Sequence, residues 1–149
     1  MQDITKEARM QERRYNNGLW TQGRYDAFIK GLIRNGLQRW GPKHECINRA
    51  RTRRGFYLCA HCREEVPASI KVEMKTKPGE MRRVKNIYAD HIEPIIDPTV
   101  GRRSWDEVIE RAFVDTPGYQ ALCYDCHQTK TEGEKRVVYE RIKSEKASG

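Results

Sequence analysis

The stretch Leu122–Lys130, which reads LCYDCHQTK, decides the fold because it concentrates side chains that bind metals. It contains the thiols of Cys123 and Cys126, a histidine directly after the second cysteine, and a lysine three residues further on. A second pair with the same spacing, Cys59 and Cys62, lies upstream, with 60 residues between the two pairs. Two such turns can present four thiolates to one tetrahedral ion, so we predict a structural zinc site that joins distant parts of the chain.

Composition limits the class of protein. The chain has 149 residues, of which 37% are hydrophobic and 34% are charged, so we expect one domain, alone or with an appendage, and a small core that a metal helps to stabilise. No run of about 18 apolar residues is present, so we expect no transmembrane helix. The polar N-terminus is unlike a secretory signal peptide. We therefore predict a cytoplasmic, reducing location, where paired cysteines favour metal over disulfide and the odd thiol, Cys46, is a buried hydrophobe.

The net charge of +8 is concentrated in the first part of the chain. Residues 1–58 contain 13 basic and 5 acidic side chains, whereas residues 59–149 contain 16 of each. This asymmetry indicates that residues 1–58 bind a polyanion. The alternative is that their basic side chains form a surface that is only solvated. Arginine binds phosphate through its planar guanidinium group, so one arginine-rich run is the candidate contact with the DNA backbone. Its members are Arg49, Arg51, Arg53 and Arg54.

The hydrophobic pattern predicts an α+β fold with an N-terminal basic helical extension. Thr21 is the expected N-cap of the first helix, Gly41-Pro42 separates it from the second, and Ser104 with Glu107 forms a capping box. The expected elements are helices over 22–40, 42–53, 104–113 and 124–144, and a strand hairpin over 66–75 and 83–91. The expected regions are an arm over 1–18, a basic helical region over 19–55, a zinc-stapled domain over 56–145 and a loose tail over 146–149.

A second metal site is predicted from His127, which follows Cys126. Neighbours on a helix differ in direction by about 100°, so a histidine next to a zinc ligand faces elsewhere and is free for another ion. Asp90 is the natural carboxylate partner, and a carboxylate with an imidazole and waters suits Mg²⁺ or Mn²⁺. Lys130 shares the helix face of His127 and is placed to meet a phosphate.

His91 is the candidate general base, because an imidazole with an unperturbed pKa of about 6.5 suits proton abstraction near neutral pH. In a regular strand Asp90 and His91 point to opposite faces. Both can serve one site only where the strand bends or ends, which Pro94 favours.

Together these motifs resemble the HNH endonucleases of the ββα-metal fold, in the four-cysteine form frequent in phage genomes. The resemblance covers roughly residues 56–135. It implies that Asp90 and His127 hold the catalytic metal, that His91 activates water, that the cysteines hold a structural zinc, and that a DNA phosphodiester is hydrolysed. If the chain is phage-encoded, the expected location is the cytoplasm of the host cell. The matching motifs are Cys59-x-x-Cys62, Asp90-His91-Ile92-Glu93-Pro94 and Leu122-Cys123-x-x-Cys126-His127-x-x-Lys130-Thr131.

Gly118 departs from the family pattern, because the family usually has an asparagine there that fixes the loop of the catalytic histidine. Either backbone groups or a neighbour such as Gln120 take that role, or activity is weakened or lost. Two rival interpretations remain open. One is a non-catalytic zinc module that binds DNA through its basic helices, and the other is an interaction protein whose acidic helix over 104–113 contacts a partner.

Overall fold

The computed structural model describes residues 12–149. Of the arm predicted over 1–18, positions 1–11 lie outside these residues. Tyr15 and Trp20 close a tight turn through an antiparallel bridge, and Asn16, Asn17 and Gly18 within it have positive φ angles of 51°, 53° and 81°, a conformation that asparagine and glycine tolerate best.

The chain divides into two compact units, of which the first ends at Arg39 and the second runs from Trp40 to Gly149. In the first unit, helix α1 spans Gln22–Leu37. The hydroxyl of Thr21 accepts a hydrogen bond from the backbone N–H of Arg24 at 3.3 Å, so the predicted N-cap is confirmed. The helix ends before residue 40 because Trp40 is extended and serves as the N-cap residue of the next helix.

The second unit begins with helix α2, Gly41–Ala50, which carries proline in its first turn as predicted. The helix expected over 42–53 is shorter than predicted, because Arg51–Arg53 forms strand β1 and pairs with strand β2, Phe56–Leu58. The backbone hydrogen bonds of a sheet and those of a helix are mutually exclusive, so pairing with β2 stops α2 at Ala50.

Three small antiparallel sheets follow one another along the chain. Of the hairpin predicted over 66–75 and 83–91, only the pairing of β4 with β5, from Ser69 with Lys85 to Glu73 with Met81, is present. The prediction of one strand over 83–91 is wrong, because residues 88–91 belong to a different sheet. Strands β6 and β7 are far apart in sequence, and they pair Asp90 with Gln120 and His91 with Tyr119. The remaining strands are β3, Glu65–Pro67; β4, Ser69–Glu73; β5, Met81–Lys85; β6, Tyr88–His91; and β7, Tyr119–Leu122.

Two further helices complete the unit: α3, Trp105–Ala112, and α4, Tyr124–Ser148. Ser104 caps α3 by accepting a hydrogen bond from Glu107 N at 3.2 Å, as the capping box predicts. The loose tail expected over 146–149 is instead helical to Ser148. Its last turns are rich in good helix formers, and the Ser148 hydroxyl donates to the carbonyl of Ser144.

The main core lies where α2 packs against the β6–β7 pair. Cys46 is buried there with Ile87, Tyr119 and Ala121, so the prediction that the odd thiol is a buried hydrophobe is confirmed. This packing places α2 in the second unit, whereas the sequence grouped residues 19–55 together. A second cluster contains Cys59, Leu122 and Cys123. No helix in the described part of the chain is long and apolar enough to cross a membrane.

Candidate metal centres and their surroundings

The four predicted zinc ligands form one cluster. The sulfur atoms of the two pairs lie within 4.8 Å of one another, and among residues 12–149 this is the only group of three or more histidine, cysteine or acidic side chains with such spacing. Four thiols at this separation match the donor set and size of a structural zinc site. The residues are Cys59, Cys62, Cys123 and Cys126.

Backbone hydrogen bonds bring the two cysteine pairs together. The N–H of Ala60 donates to the carbonyl of Ala121 at 2.8 Å, which joins the first cysteine turn to β7. The N–H of Cys123 donates to the sulfur of Cys59 at 3.3 Å. Arg63 has a positive φ of 63° and closes the first turn by donating its N–H to the carbonyl of Cys59.

The electrostatics of this centre favour a thiolate at Cys59. Burial opposes ionisation of the thiol, but hydrogen bonds from the backbone N–H groups of Cys123, Cys62 and His61 outweigh burial and lower the pKa of Cys59 to about 6. Burial and the neighbouring thiols raise the pKa of Cys126. Several thiolates can share so small a volume only with a compensating cation, and a divalent zinc ion provides one.

The second predicted centre brings Asp90 and His127 together. Asp90 Oδ1 lies 3.9 Å from Nε2 of His127, while Asp90 Oδ2 accepts a hydrogen bond from Nε2 of Gln120 at 3.2 Å. The ammonium group of Lys130 forms an ion pair with the same Oδ2 and donates to the carbonyl of His91 at 2.6 Å. One carboxylate oxygen is thus held by Gln120 and Lys130, and the other faces the imidazole.

The separation of the carboxylate oxygen of Asp90 from the imidazole nitrogen of His127 is longer than a hydrogen bond. An ion with bonds of about 2.0–2.2 Å can join donor atoms separated by up to about 4 Å, and the separation here is 3.9 Å. The ring of His127 stacks on Tyr88 with centroids 4.6 Å apart, which holds its plane. Its Nδ1 atom is buried and has no hydrogen-bond partner among the described residues.

His91 lies on the other face of the strand pair. Its Nε2 is 2.8 Å from the carbonyl oxygen of Ala112, and because a carbonyl only accepts, Nε2 carries the proton and Nδ1 keeps its lone pair. Tyr119 donates its hydroxyl to the same carbonyl at 2.8 Å and packs its ring 4.7 Å from that of His91. Burial, with a smaller contribution from the charge of Lys43, lowers the pKa of His91, which favours the neutral base.

Gly118, the departure from the family pattern, is enclosed. A Cβ atom built on Gly118 would lie 2.5 Å from Cγ2 of Val114, so no side chain fits without movement of its neighbour. The carbonyl of Gly118 accepts a hydrogen bond from the N–H of Ile92 at 3.0 Å, which ties the segment after His91 to the start of β7. Backbone groups therefore connect the two segments here, and the side chain of Gln120 holds Asp90.

The candidate DNA-binding arginines differ in their surroundings. Arg49 is paired with Glu45 and Arg53 with Glu65, both at 2.6 Å. Arg51 and Arg54 are exposed, and the structure gives their side chains no ion pair within residues 12–149. Because α2 ends at Ala50, Arg49 lies in the helix and Arg53 in strand β1, and not together in the helix predicted over 42–53. The ammonium of Lys130, predicted to meet a phosphate, contacts Asp90, His91 and Glu134.

Several contributing residues escaped the sequence analysis. Tyr88 could have been found, because it is two positions before Asp90 and therefore lies on the same face of the strand. Ala112 could not, because it acts through its backbone carbonyl. Lys43 and Tyr119 lie near His91 only as a result of how α2 and β7 pack. An open cleft of about 500 Å³ lies beside Gln120 and Lys130, the two residues that hold Asp90. Its lining also includes His61, Asp125 and Thr129.

Comparisons of the chain with models of known protein families, with curated proteins and with solved structures find no match. The protein has a small α+β fold and a four-cysteine cluster that fits a zinc site.

Proposed function

We propose that this protein is a metal-dependent endonuclease that hydrolyses phosphodiester bonds in DNA, of the HNH type that its motifs resemble. The observation that carries the proposal is the approach of Asp90 Oδ1 to His127 Nε2 at 3.9 Å beside an anchored His91. The three side chains come from the end of β6 and the first turn of α4, and β7, which pairs with β6, leads directly into α4.

His91 acts as the general base in this proposal. Its Nε2 proton is committed to the carbonyl of Ala112, so Nδ1 is the atom that removes a proton from the attacking water. Tyr119 restricts the imidazole by ring contact and by sharing the same acceptor. Burial raises the pKa of Tyr119 to about 12, so its hydroxyl stays protonated and keeps donating.

Asp90 and His127 would hold the divalent metal on the opposite face of the strand pair. Mg²⁺ or Mn²⁺ bound there would supply positive charge against the phosphate and the leaving oxygen. In-line displacement requires the nucleophile and the leaving group to lie on opposite sides of the phosphorus atom. A phosphodiester across the end of β6 would have His91 on one side and the metal ligands on the other. The opposite orientation of the Asp90 and His91 side chains is therefore compatible with in-line attack.

The cluster of four cysteines has a structural role in this scheme. It ties the turn after β2 to the start of α4 through the zinc ion, and α4 carries His127 one residue beyond Cys126. Zinc binding therefore sets the position from which His127 meets Asp90.

The test is cleavage of supercoiled plasmid by the purified full-length chain in Mg²⁺, in Mn²⁺ and in EDTA, with His91→Ala and His44→Ala side by side. His44 is an exposed histidine on α2 and serves as the matched control. We expect metal-dependent nicking by the wild type and by His44→Ala, and a loss of about 10²- to 10⁴-fold in His91→Ala. Folding of each variant is checked by circular dichroism and by zinc content.

A non-catalytic DNA-binding zinc module is the second candidate, and the glycine at position 118 favours it. Zinc-loaded, folded wild-type protein that binds DNA but cleaves none in any divalent metal would select this module and exclude the nuclease. Zinc-loaded protein that neither cleaves nor binds DNA would instead favour an interaction protein.

A further inference from the structure

We propose that the hairpin of β4 and β5 is a DNA-binding ribbon, whose basic face of Lys71, Arg83 and Lys85 contacts the phosphate backbone beside the candidate metal site. This inference deepens the proposed function and rests on it. The hairpin is separate from the arginine-rich run at positions 49–54, which ends before β2 begins.

The register of the hairpin places these three cations on one face. Side chains alternate between the two faces along a strand, and residues directly opposite each other across two strands share a face. Lys71 pairs with Arg83, and Ser69 pairs with Lys85. All three cations are exposed. Within residues 12–149 the hairpin forms a sheet of two strands, so no third strand of this part of the chain covers its edges.

The opposite face of the hairpin is mainly apolar. Ile70, Val72 and Val84 lie on it and are partly buried. Arg82 belongs to this face as well, because it pairs with Val72. The ribbon is therefore amphipathic, and its basic face is the side that is open to solvent.

The basic face lacks acidic partners. Lys71 and Arg83 are directly opposite each other, and like charges in that position destabilise a sheet. Arg83 donates to the hydroxyl of Ser69 at 2.9 Å, and within residues 12–149 none of the three cations takes part in an ion pair. Glu73 lies on the same face, but its carboxylate accepts a hydrogen bond from the N–H of Gly79 in the turn at 2.9 Å. The positive charge of this face is therefore not neutralised within the hairpin.

The basic face ends beside a candidate metal ligand. Lys85 Nζ lies 5.2 Å from the centroid of the Tyr88 ring, and this ring stacks on that of His127 with centroids 4.6 Å apart. The hydroxyl of Tyr88 donates to the carbonyl of Lys85 at 2.8 Å, which fixes the turn between β5 and β6. A DNA strand bound along the hairpin would therefore pass Lys85 and reach the site of Asp90 and His127.

Duplex DNA is the partner that this surface fits. It has a negative charge at every nucleotide, and its major groove admits a two-stranded β-ribbon. The major groove of A-form RNA is deep and narrow, so side chains cannot read it. A phosphate between Lys71 and Arg83 would accept a hydrogen bond from each and compensate for their mutual repulsion.

The experiment measures binding of a short duplex DNA to the full-length, zinc-loaded protein without added Mg²⁺ or Mn²⁺, over a range of salt concentrations. The variants are Lys71→Gln and Arg83→Gln, with Arg82→Gln on the opposite face of the same strand as the matched control. We expect each of the first two to bind about tenfold more weakly at low salt. The slope of log K against log salt should fall by about one in each. Arg82→Gln should bind as the wild type does.

Melting temperature separates a binding role of Lys71 from a structural one. Lys71→Gln should melt no lower than the wild type, because the substitution removes a like-charge pair. Lys71→Glu should melt higher, because glutamate opposite Arg83 replaces repulsion with attraction, and it should bind DNA more weakly than Lys71→Gln does. A lower melting temperature together with weaker binding in Lys71→Gln would make the lysine a structural residue and overturn the inference.

The binding data allow four further outcomes. Unchanged affinity and salt slope in folded Lys71→Gln and Arg83→Gln would overturn the inference, and so would an equal loss in Arg82→Gln. Tighter binding of duplex RNA than of duplex DNA would overturn the choice of partner. Weakened binding in the two variants without cleavage by the wild type in any divalent metal would support the DNA-binding ribbon and refute the nuclease. Metal-dependent cleavage with binding unchanged in both variants would do the opposite.

Discussion

Lys130 forms an ion pair with Asp90 through Oδ2, the carboxylate oxygen that does not face His127. Gln120 donates to the same oxygen, and Lys130 also donates to the carbonyl of His91. The lysine therefore fixes the carboxylate and the peptide of the neighbouring residue at once. Residues that hydrogen-bond to a metal-binding carboxylate orient it and thereby contribute to the affinity of the site for the metal.

Replacing Lys130 should weaken metal binding. We expect Lys130→Met to lower the affinity for Mn²⁺ by about 10- to 100-fold, because Asp90 loses its main orienting donor. Electron paramagnetic resonance of free and bound Mn²⁺ measures this, with Lys135→Met on the exposed side of α4 as the control. Unchanged Mn²⁺ affinity with a raised KM for DNA would restore the role predicted from the sequence, in which Lys130 contacts a phosphate.

Asp90→Asn should remove the second metal site without harming the first. The substitution keeps the shape of the side chain and removes the charge that a divalent ion requires, so we expect cleavage to fall by at least about 100-fold. Zinc content should stay at the wild-type value, because the cysteine cluster is separate from Asp90. Asp106→Asn, in the exposed first turn of α3, is the matched control and should cleave normally. Equal activity of the two variants would exclude Asp90 as a catalytic ligand.

Cys126→Ser should unfold the second unit, whereas Cys46→Ala should not. A structural zinc ion contributes about 10–16 kcal/mol in small zinc-binding peptides, which is comparable with the whole stability of a domain. Cys46 is buried but lies outside the four-cysteine cluster, so its truncation should cost about 1 kcal/mol. Zinc content by mass spectrometry and melting by circular dichroism test both. Normal zinc content and melting in Cys126→Ser would rule out the zinc assignment.

Gly118→Ala should destabilise the fold although alanine is a better former of regular structure. The added Cβ would meet Cγ2 of Val114 at 2.5 Å, and forcing an extra carbon into such a contact costs about 1–3 kcal/mol. The double variant with Val114→Ala should recover only part of the loss, because the Cβ of residue 114 still lies 2.9 Å from the added atom. Urea denaturation of both variants measures the difference. If Gly118→Ala alone is as stable as the wild type, the segment around residue 118 moves to accommodate the Cβ atom without lowering the free energy of unfolding.

The four candidate arginines should contribute unequally to DNA binding. Arg49 and Arg53 must each give up a carboxylate partner to contact a phosphate, whereas Arg51 and Arg54 have no ion pair to break within residues 12–149. We expect Arg51→Gln with Arg54→Gln to lower the salt slope of binding by about two. Arg49→Gln with Arg53→Gln should lower it by less. The opposite order, measured by fluorescence anisotropy, would place the DNA on the α2 side of this run.

Local features of the protein follow from the sequence by itself. The caps at Thr21 and Ser104 and the helix start at Gly41-Pro42 are recognisable because each depends on residues within one helical turn. The four-cysteine cluster is equally predictable, since thiolate chemistry and the two-residue spacing specify a shared ion whatever chain separates the pairs.

Only the tertiary structure decided which distant groups meet. Pairing of β1 with β2 ends α2 at Ala50, and packing of α2 on the β6–β7 pair buries Cys46 against Ile87 and Tyr119. The carbonyl of Ala112 accepts hydrogen bonds from both His91 and Tyr119 because α3 ends beside the strand pair. Such contacts depend on chain segments that are far apart in sequence, and backbone groups carry no residue type that a pattern could reveal. The spacing of residues in the sequence therefore identifies side chains that could bind a metal or act in catalysis, and packing determines which of them are neighbours.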